Sequence, residues 1–377
     1  VAGEPVVGRP SERLPFRRYR LHAENITDTL RYGRRQMNIR EARSRDEETL
    51  KEMQSKVEFG EGVVFRREIR GSFFARARTH EAGTVFVAEQ GNELLGSAAC
   101  SIRDGIVGGR KRRIGYQFQL FVAPEHRRRG VALALAEHRQ RYLRDQGAEV
   151  IYLVVEKENA AARRVAEKQG LQLRAELVNC GRIAMPLNGG DAGRGVRPYH
   201  DADAPAVADL LSKTWTGAGL TPVFDEGFVA AFLRRVTGPG SSGCFVLETA
   251  GEVVACVAMG DRSANESMVT VSVSDEMQEA GPWVPRPGDK VPPAFPVGLV
   301  AYQEPEQLEV LLRYLNQHLL ERPLAYYFFV HEAGKSPVSK EDGFFQVESS
   351  AVLYCKPLAA GIELNDTRWY VDPLESY

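Results

Sequence analysis

Apolar and polar positions alternate over residues 114–122. Ile114, Tyr116, Phe118, Leu120 and Val122 fall on one face, Gln117 and Gln119 on the other, the period-two pattern of a strand. Over 131–147 the period lengthens to that of an amphipathic helix, with Leu133, Ala136 and Tyr142 among its apolar positions. Between the two lies Ala123-Pro124-Glu125-His126-Arg127-Arg128-Arg129-Gly130, a proline turn followed by a basic turn with one glycine. Upstream, the pattern predicts a strand over 37–43, a helix opened by Ser44 with an acidic first turn, and a second helical stretch over 64–79. Hairpin strands over 84–89 and 94–103 follow, turned by Gly91-Asn92, and then a loop over 108–113. Downstream come a strand over 150–155, a helix over 160–168 between Asn159 as N-cap and Gly170 as left-handed terminator, and a closing pair of strands near 171–178 and 182–187. The fold class is α/β: a mixed sheet of the α+β kind with helices on both faces.

The glycine-rich segment 189–195 reads as a linker. The order of elements then starts again. Val196-Arg197-Pro198 echoes Ile39-Arg40-Glu41, helices are expected over 201–213 and 228–236, and paired strands over 244–248 and 253–259. Strand, helix, strand, strand follow over 297–302, 307–320, 325–330 and 345–354. The chain of 377 residues divides on this reading into two tandem domains, 37–188 and 196–358, with a tail over 359–377. Residues 1–36 carry eight arginines and no lysine, with little periodicity; they are expected to be a disordered basic extension.

Composition narrows the function. A hydrophobic content of 43% supplies two packed cores. No apolar run reaches the roughly 18 residues of a membrane helix, so no membrane partner is expected. Cys100, Cys180, Cys244, Cys256 and Cys355 are scattered, with no Cys-x-x-Cys pair and no His/Cys cluster. No metal is expected, and free buried thiols in a reducing, cytoplasmic setting fit best. The near-zero net charge hides a division: residues 1–190 hold 35 Lys+Arg against 24 Asp+Glu, residues 191–377 hold 14 against 26. A strand, a turn and a helix N-terminus aim free amides and a helix dipole at one spot, which is an anion site. Three arginines beside it add charge for phosphate oxygens. The arginines at 110–113 with those at 127–129 raise the question of nucleic acid, which is set aside because no aromatic residues interleave them. Arg139, Arg141 and Arg144 read as an exposed helix face.

The turn resembles the acyl-coenzyme A loop of the GNAT acetyltransferase superfamily, Gln/Arg-x-x-Gly-x-Gly/Ala, here Arg127-x-x-Gly130-x-Ala132. Asn159-x-x-Ala162-x-x-Val165-x-x-Lys168-x-Gly170-Leu171 is similar to the second signature of that family. The resemblance implies that acetyl-coenzyme A is the co-substrate and that a primary amine, on a small molecule or a peptide, attacks its thioester directly in a ternary complex. It implies that the main chain of Leu120, Phe121 and Val122 holds the pantetheine arm. Arg127, Arg128, Arg129, Gly130, Val131, Ala132 and Leu133 would hold the diphosphate, and Asn159 would face the cofactor arm.

A base must take the ammonium proton. Glu156, at the end of the neighbouring strand, is the best carboxylate; Tyr116 is a polar candidate on the motif strand. The family signature places a tyrosine where this chain has Ala166, which leaves thiolate protonation without that phenol. A non-catalytic acyl-coenzyme A sensor or assembly module is therefore the alternative reading. The second domain, with Glu304, Pro305, Glu306 and Glu309 at the matching turn and only a loose Lys340-x-x-Gly343-Phe344 signature, is expected not to bind the cofactor. Such a degenerate copy is expected to wall the acceptor cleft or to form a homodimer surface, with the proline-rich loop 274–294 and its Trp283 as the candidate segment.

Overall fold

The computed structural model describes residues 28–372 apart from 33–34, 61, 187–192, 237–242, 262, 264, 280–283, 292–293, 323–324 and 336–344. Most of the basic extension, most of the linker, Trp283, the loose signature at Lys340 and Gly343-Phe344, and the last five residues lie outside the described residues.

The first half runs β1 (Asp28–Tyr32), β2 (Arg35–Glu41), α1 (Glu47–Ser55), β3 (Glu58–Phe59), β4 (Val63–Ile69) and α2 (Ala75–Thr79). Then come β5 (Thr84–Gln90), β6 (Glu93–Val107), β7 (Arg110–Val122), α3 (Val131–Asp145), β8 (Val150–Glu156), α4 (Ala160–Lys168) and β9 (Gln172–Ile183). The second half runs β10 (Val196–Pro198), α5 (Ala204–Thr214), β11 (Thr221–Pro222), α6 (Glu226–Val236), β12 (Cys244–Thr249) and β13 (Glu252–Met259). It continues with β14 (Glu266–Val273), α7 (Asp275–Glu279), β15 (Ala294–Tyr302), α8 (Pro305–Leu319), β16 (Tyr326–Glu332) and β17 (Phe345–Pro357).

The repeat of elements is also a repeat of chemistry. Arg40 clamps Asp46 through both terminal nitrogens, at 2.7 and 3.1 Å, and reaches Glu89 at 2.8 Å. Arg197 does the same to Asp203, at 2.7 and 2.9 Å, and to Glu248 at 2.8 Å. In both halves the aspartate also accepts the amide three residues before it, Arg43 N–H or His200 N–H. Each network ties the first strand to the start of the first helix and to the next strand; charge-assisted bonds of this kind contribute about 1.5–3 kcal/mol apiece.

The halves do not close separately. One sheet of 14 strands runs through both, in the order β1-β2-β5-β6-β7-β8-β17-β9-β16-β15-β13-β12-β10, with β11 on β6. Its centre is an exchange. The last strand of the second half, β17, pairs with β8 over Ala351↔Glu156 to Pro357↔Val150. The last strand of the first half, β9, pairs with β16 over Tyr326↔Ile183 to Glu332↔Leu177. The break at 189–195 separates two runs of elements in sequence but not in space. One core joins Tyr116, Phe121 and Tyr152 of the first half to Phe328, Leu353 and Trp369 of the second.

Several sequence expectations are corrected. The stretch 64–79 is not a helix. It is β4, whose partner β14 lies some two hundred residues on, with Phe65 opposite Thr270 and Ile69 opposite Glu266, followed by the five-residue α2. The other edge of β4 carries only the two-residue β3, too short to give a clear local cue, and the run Val63-Val64-Phe65 suits the longer pairing with β14. Only Gly108-Gly109 turn at the expected loop 108–113; residues 110–113 already belong to β7. The closing pair of strands is the single strand β9, which lies between β17 on one edge and β16 on the other. Residues 28–32, placed in the disordered extension, form β1 against β2. The segment 359–377 is not a loose tail over its described part, because Leu364, Trp369 and Val371 are buried.

With the exchange at its centre, the chain is expected to unfold in one transition. Far-UV and near-UV circular dichroism, followed in urea, should give coincident midpoints; two separated transitions would show that the halves fold independently.

Candidate active site

β7 and β8 are parallel neighbours over only three pairs, Ile114↔Val150, Gly115↔Ile151 and Tyr116↔Tyr152, and then diverge. The divergence starts at a bulge. Gln119 has φ +52°, and the register of β7 against β6 slips there, between Ser97 and Ala99. Beyond the bulge the Ala123 amide donates to Leu95 O at 3.0 Å. Hydrogen-bonded pairs recur every second residue in an antiparallel ladder. Phe121, opposite Ser97, therefore belongs to the β6 side, while Val122, and Leu120 two residues before it, turn their polar groups toward the gap. The expectation that Phe121 would share this edge is corrected. Val122 O accepts only a long bond, 3.4 Å, from Arg127 Nε.

The basic turn closes the top of the gap. Gly130 is the N-cap of α3 at φ +82°, and Arg128 sits at φ +59°. Only glycine takes that conformation freely; a side chain there costs about 1–2 kcal/mol. No side chain caps α3, so the amides of Val131, Ala132 and Leu133 are first-turn donors open to an anion. Arg127, Arg128 and Arg129 are exposed around them. His126, which the sequence left without a role, anchors the turn: Nε2 meets Glu93 Oε1 at 3.0 Å and Nδ1 meets Arg129 at 3.4 Å. On the other arm, Asn159 Oδ1 accepts the Ala162 amide at 3.0 Å, which makes it the N-cap of α4.

Glu156 ends β8 at the mouth of the gap. Its side chain is exposed, yet nearby protein desolvates the carboxyl enough to raise its pKa above the usual value, with Arg67 of β4 pulling it down. Tyr116 lies instead at the closed end, 3% exposed. Its ring is stacked between Phe118 and Tyr152 at 5.0 and 4.9 Å, and its hydroxyl accepts from Arg76 at 3.3 Å. Tyr116 is a floor residue, and Glu156 is the carboxylate the gap presents. Ala166 is fully buried in the core that also holds Tyr354. The Tyr354 hydroxyl is committed to α4: it accepts from Arg163 at 3.3 Å and donates to Glu167 at 3.1 Å.

The second half has the same gap, filled. β15 and β16 pair over Ala294↔Tyr326 to Pro296↔Phe328 and then part, and Leu299, at φ +48°, is the bulge. The Gln303 amide donates to Val254 O as Ala123 does to Leu95 O, so Val300 and Tyr302 match Leu120 and Val122. Here the edge is taken. Trp215 Nε1 donates to Val300 O at 3.3 Å. Thr214 Oγ1 donates to Tyr302 O and accepts from its amide, both at 3.4 Å. The Arg368 guanidinium lies 4.3 Å from the Trp215 ring and holds that plug in place. At the start of α8, Gln307 Oε1 accepts the amides of Gln303 and Glu304, each at 3.0 Å. Glu332, the counterpart of Glu156, is bound to the Trp369 amide at 2.6 Å and to Lys335 at 2.8 Å.

Other sequence expectations resolve along the way. Lys111 pairs with Asp104 and Arg112 with Glu149, both at 2.9 Å, which neutralises much of the cluster at 110–113. Arg139 is not on an exposed face: it is 2% exposed and buried under the sheet. All five cysteines are free and buried, with Cys244 and Cys256 on the paired strands β12 and β13. Among the described residues no group of His, Cys, Asp and Glu is placed to hold a metal ion, and no helix is long and apolar enough to cross a membrane.

Residues 47–171 match the model of the Acetyltransferase (GNAT) family. No curated protein matches the chain. Among solved structures, N-myristoyltransferase of Saccharomyces cerevisiae with bound myristoyl-coenzyme A aligns with a TM-score of 0.61 at 10% identity, over 92% of this chain and 89% of its own. A putative acetyltransferase from Pyrococcus horikoshii gives 0.53 at 13% identity, over 95% and 99%. The glucosamine N-acetyltransferase region of a fungal multi-domain beta-N-acetylglucosaminidase gives 0.57 at 14% identity over 85% of this chain, which spans 38% of that protein. These likenesses are of fold.

With one open gap among the described residues, the expectation of acetyl-coenzyme A as co-substrate predicts one molecule bound per chain in a calorimetric titration. Gly130→Glu adds backbone strain and a carboxylate beside the diphosphate amides, and is expected to weaken binding by at least about 100-fold with the circular dichroism spectrum unchanged. A stoichiometry of two, or full affinity in the variant, would remove the loop from the site.

Proposed function

We propose, on the premise that residues 47–171 are a GNAT-family domain, that this chain moves an acetyl group from acetyl-coenzyme A to a primary amine by direct attack between β7 and β8. The observation that carries this reading is the open edge at Leu120 and Val122 beneath an uncapped helix N-terminus, when the same edge in the second half is filled by Trp215 and Thr214. The amides at 130–133, with Arg127, Arg128 and Arg129, hold the diphosphate. Leu120 and Val122 pair with the pantetheine arm. The amine enters from the face where β4 and β14 meet, so both halves wall its path.

Glu156 takes the ammonium proton as the amine attacks the thioester carbonyl, and the sulfur leaves as thiolate. A thiol near pKa ~8.5 is a competent leaving group without an acid, so Ala166 does not forbid turnover. Orientation of the two substrates supplies about 7–11 kcal/mol of barrier lowering, while a base supplies roughly 10²–10⁴-fold in rate. The gap therefore matters more than any single proton carrier. The free buried thiols suit a reducing, cytoplasmic setting.

A second reading, an acyl-coenzyme A sensor or assembly module without turnover, is favoured by Ala166 and by the committed Tyr354 hydroxyl. Release of coenzyme A thiol from acetyl-coenzyme A, measured across a panel of amino acids, polyamines, amino sugars and peptides, separates the two. Both bind acetyl-coenzyme A, and only the transferase releases thiol in proportion to an amine.

Glu156→Gln is expected to lower kcat by roughly 10²-fold or more and to leave acetyl-coenzyme A affinity within experimental error. The base works only when ionised, so the wild-type rate should rise with pH through the raised Glu156 pKa. Arg67→Met removes the charge that pulls this pKa down, so the acidic limb should move to higher pH. A Glu156→Gln variant that keeps the wild-type acidic limb would clear this residue of the role.

A further inference from the structure

Arg139 lies in the middle of α3, 2% exposed, and none of its hydrogen-bond partners is a carboxylate. One terminal nitrogen donates to Phe118 O at 2.9 Å and to Ala99 O at 3.1 Å. The other donates to Gln117 Oε1 at 3.4 Å. Burial pushes its pKa down to about 10, so it remains a cation at neutral pH. A buried cation without a counter-charge is costly until hydrogen bonds offset its desolvation.

The placement of those acceptors is what distinguishes this residue. Gln117 follows the last parallel pair, Tyr116↔Tyr152. Phe118 immediately precedes Gln119, with its φ of +52°. Ala99 marks the far side of the register slip in β6. All three surround the point where β7 leaves β8. A bulge leaves main-chain groups without ladder partners, and a carbonyl so stranded in a dry core is costly. The guanidinium bonds one carbonyl from each strand, Ala99 O of β6 and Phe118 O of β7, which face each other at the first registered pair beside the slip. In the second half the bulge carbonyl, Leu299 O, accepts from Cys256 Sγ at 3.1 Å, and Trp215 fills the gap.

We infer that Arg139 is a positioning residue: it fixes the bulge that opens the gap, and so sets the Leu120–Val122 edge for the pantetheine arm without touching the cofactor. This inference rests on the gap being the acyl-coenzyme A site. The diphosphate turn lies at the other end of the arm and does not depend on the bulge. The two ends of the cofactor should therefore respond differently when Arg139 is changed.

The test is binding of acetyl-coenzyme A and of adenosine 3′,5′-bisphosphate, the nucleotide end alone, to the full chain by calorimetry. Arg139→Met, held well below its unfolding temperature, should bind acetyl-coenzyme A about 100-fold more weakly, the scale of losing two main-chain hydrogen bonds at the Leu120–Val122 edge. Its affinity for the bisphosphate should not change. Arg139→Lys, with a point charge in place of a planar fork, should recover about tenfold of that loss. Parallel loss of both ligands is what general loosening gives and overturns the inference. Unchanged acetyl-coenzyme A affinity in either folded variant also overturns it, as does failure of both variants to fold. Absence of acetyl-coenzyme A binding by the wild-type chain would sink the functional reading itself, a separate outcome.

Discussion

A parallel strand pair that lets go after three residues governs this molecule. β7 and β8 share Ile114 to Tyr116 and then part. Parting leaves main-chain donors and acceptors unsatisfied on the inner edge of β7, and a folded protein tolerates that only where water or a ligand completes them. The uncapped start of α3 sits beside the same opening. Two separate deficits of hydrogen bonding, one at a strand edge and one at a helix end, face one space. A long cofactor with an amide-bearing arm and a diphosphate head answers both.

The second half shows what happens when the same deficits are met from within. Its gap survives as backbone geometry, with the bulge at Leu299, but an indole, a threonine hydroxyl and a glutamine side chain have taken the places of a ligand. Glu332 is neutralised in turn by Lys335 and a main-chain amide. Filling this gap needed no change of fold. The charge division along the chain fits this asymmetry, since the basic half holds the open site and the acidic half the closed one.

Much of the site was legible because its physics is local. The turn glycine at 130, the N-cap at Asn159, the left-handed Gly170 and the strand end at Val122 depend on neighbours in sequence, and the structure has them in those places. The echo of Ile39-Arg40-Glu41 in Val196-Arg197-Pro198 was also readable, and its cause is the shared clamp on Asp46 and Asp203. What failed was non-local. β4 looked helical because its long partner β14 comes from the other half, and the expected closing pair is one strand because β9 is flanked on both edges by strands of the second half, β17 and β16. Arg139 looked exposed because an arginine on a helix usually is; nothing near it in sequence says that two backbone carbonyls wait above it. Trp215 gave no signal, since a tryptophan after a helix is ordinary until its indole N–H is seen to close a strand edge.

The strand exchange at the centre has a consequence for biosynthesis. The sheet around β8 lacks its inner neighbour until residues 351–357, some two hundred residues further on, have emerged. Until then the nascent chain carries the bare edges of β9 and of β8, whose run Val150–Val155 is apolar. Open edges of that kind invite pairing with other chains. The route from ribosome to folded protein therefore includes a long interval in which the first half is made but cannot yet be completed, and chaperone protection would matter most during that wait.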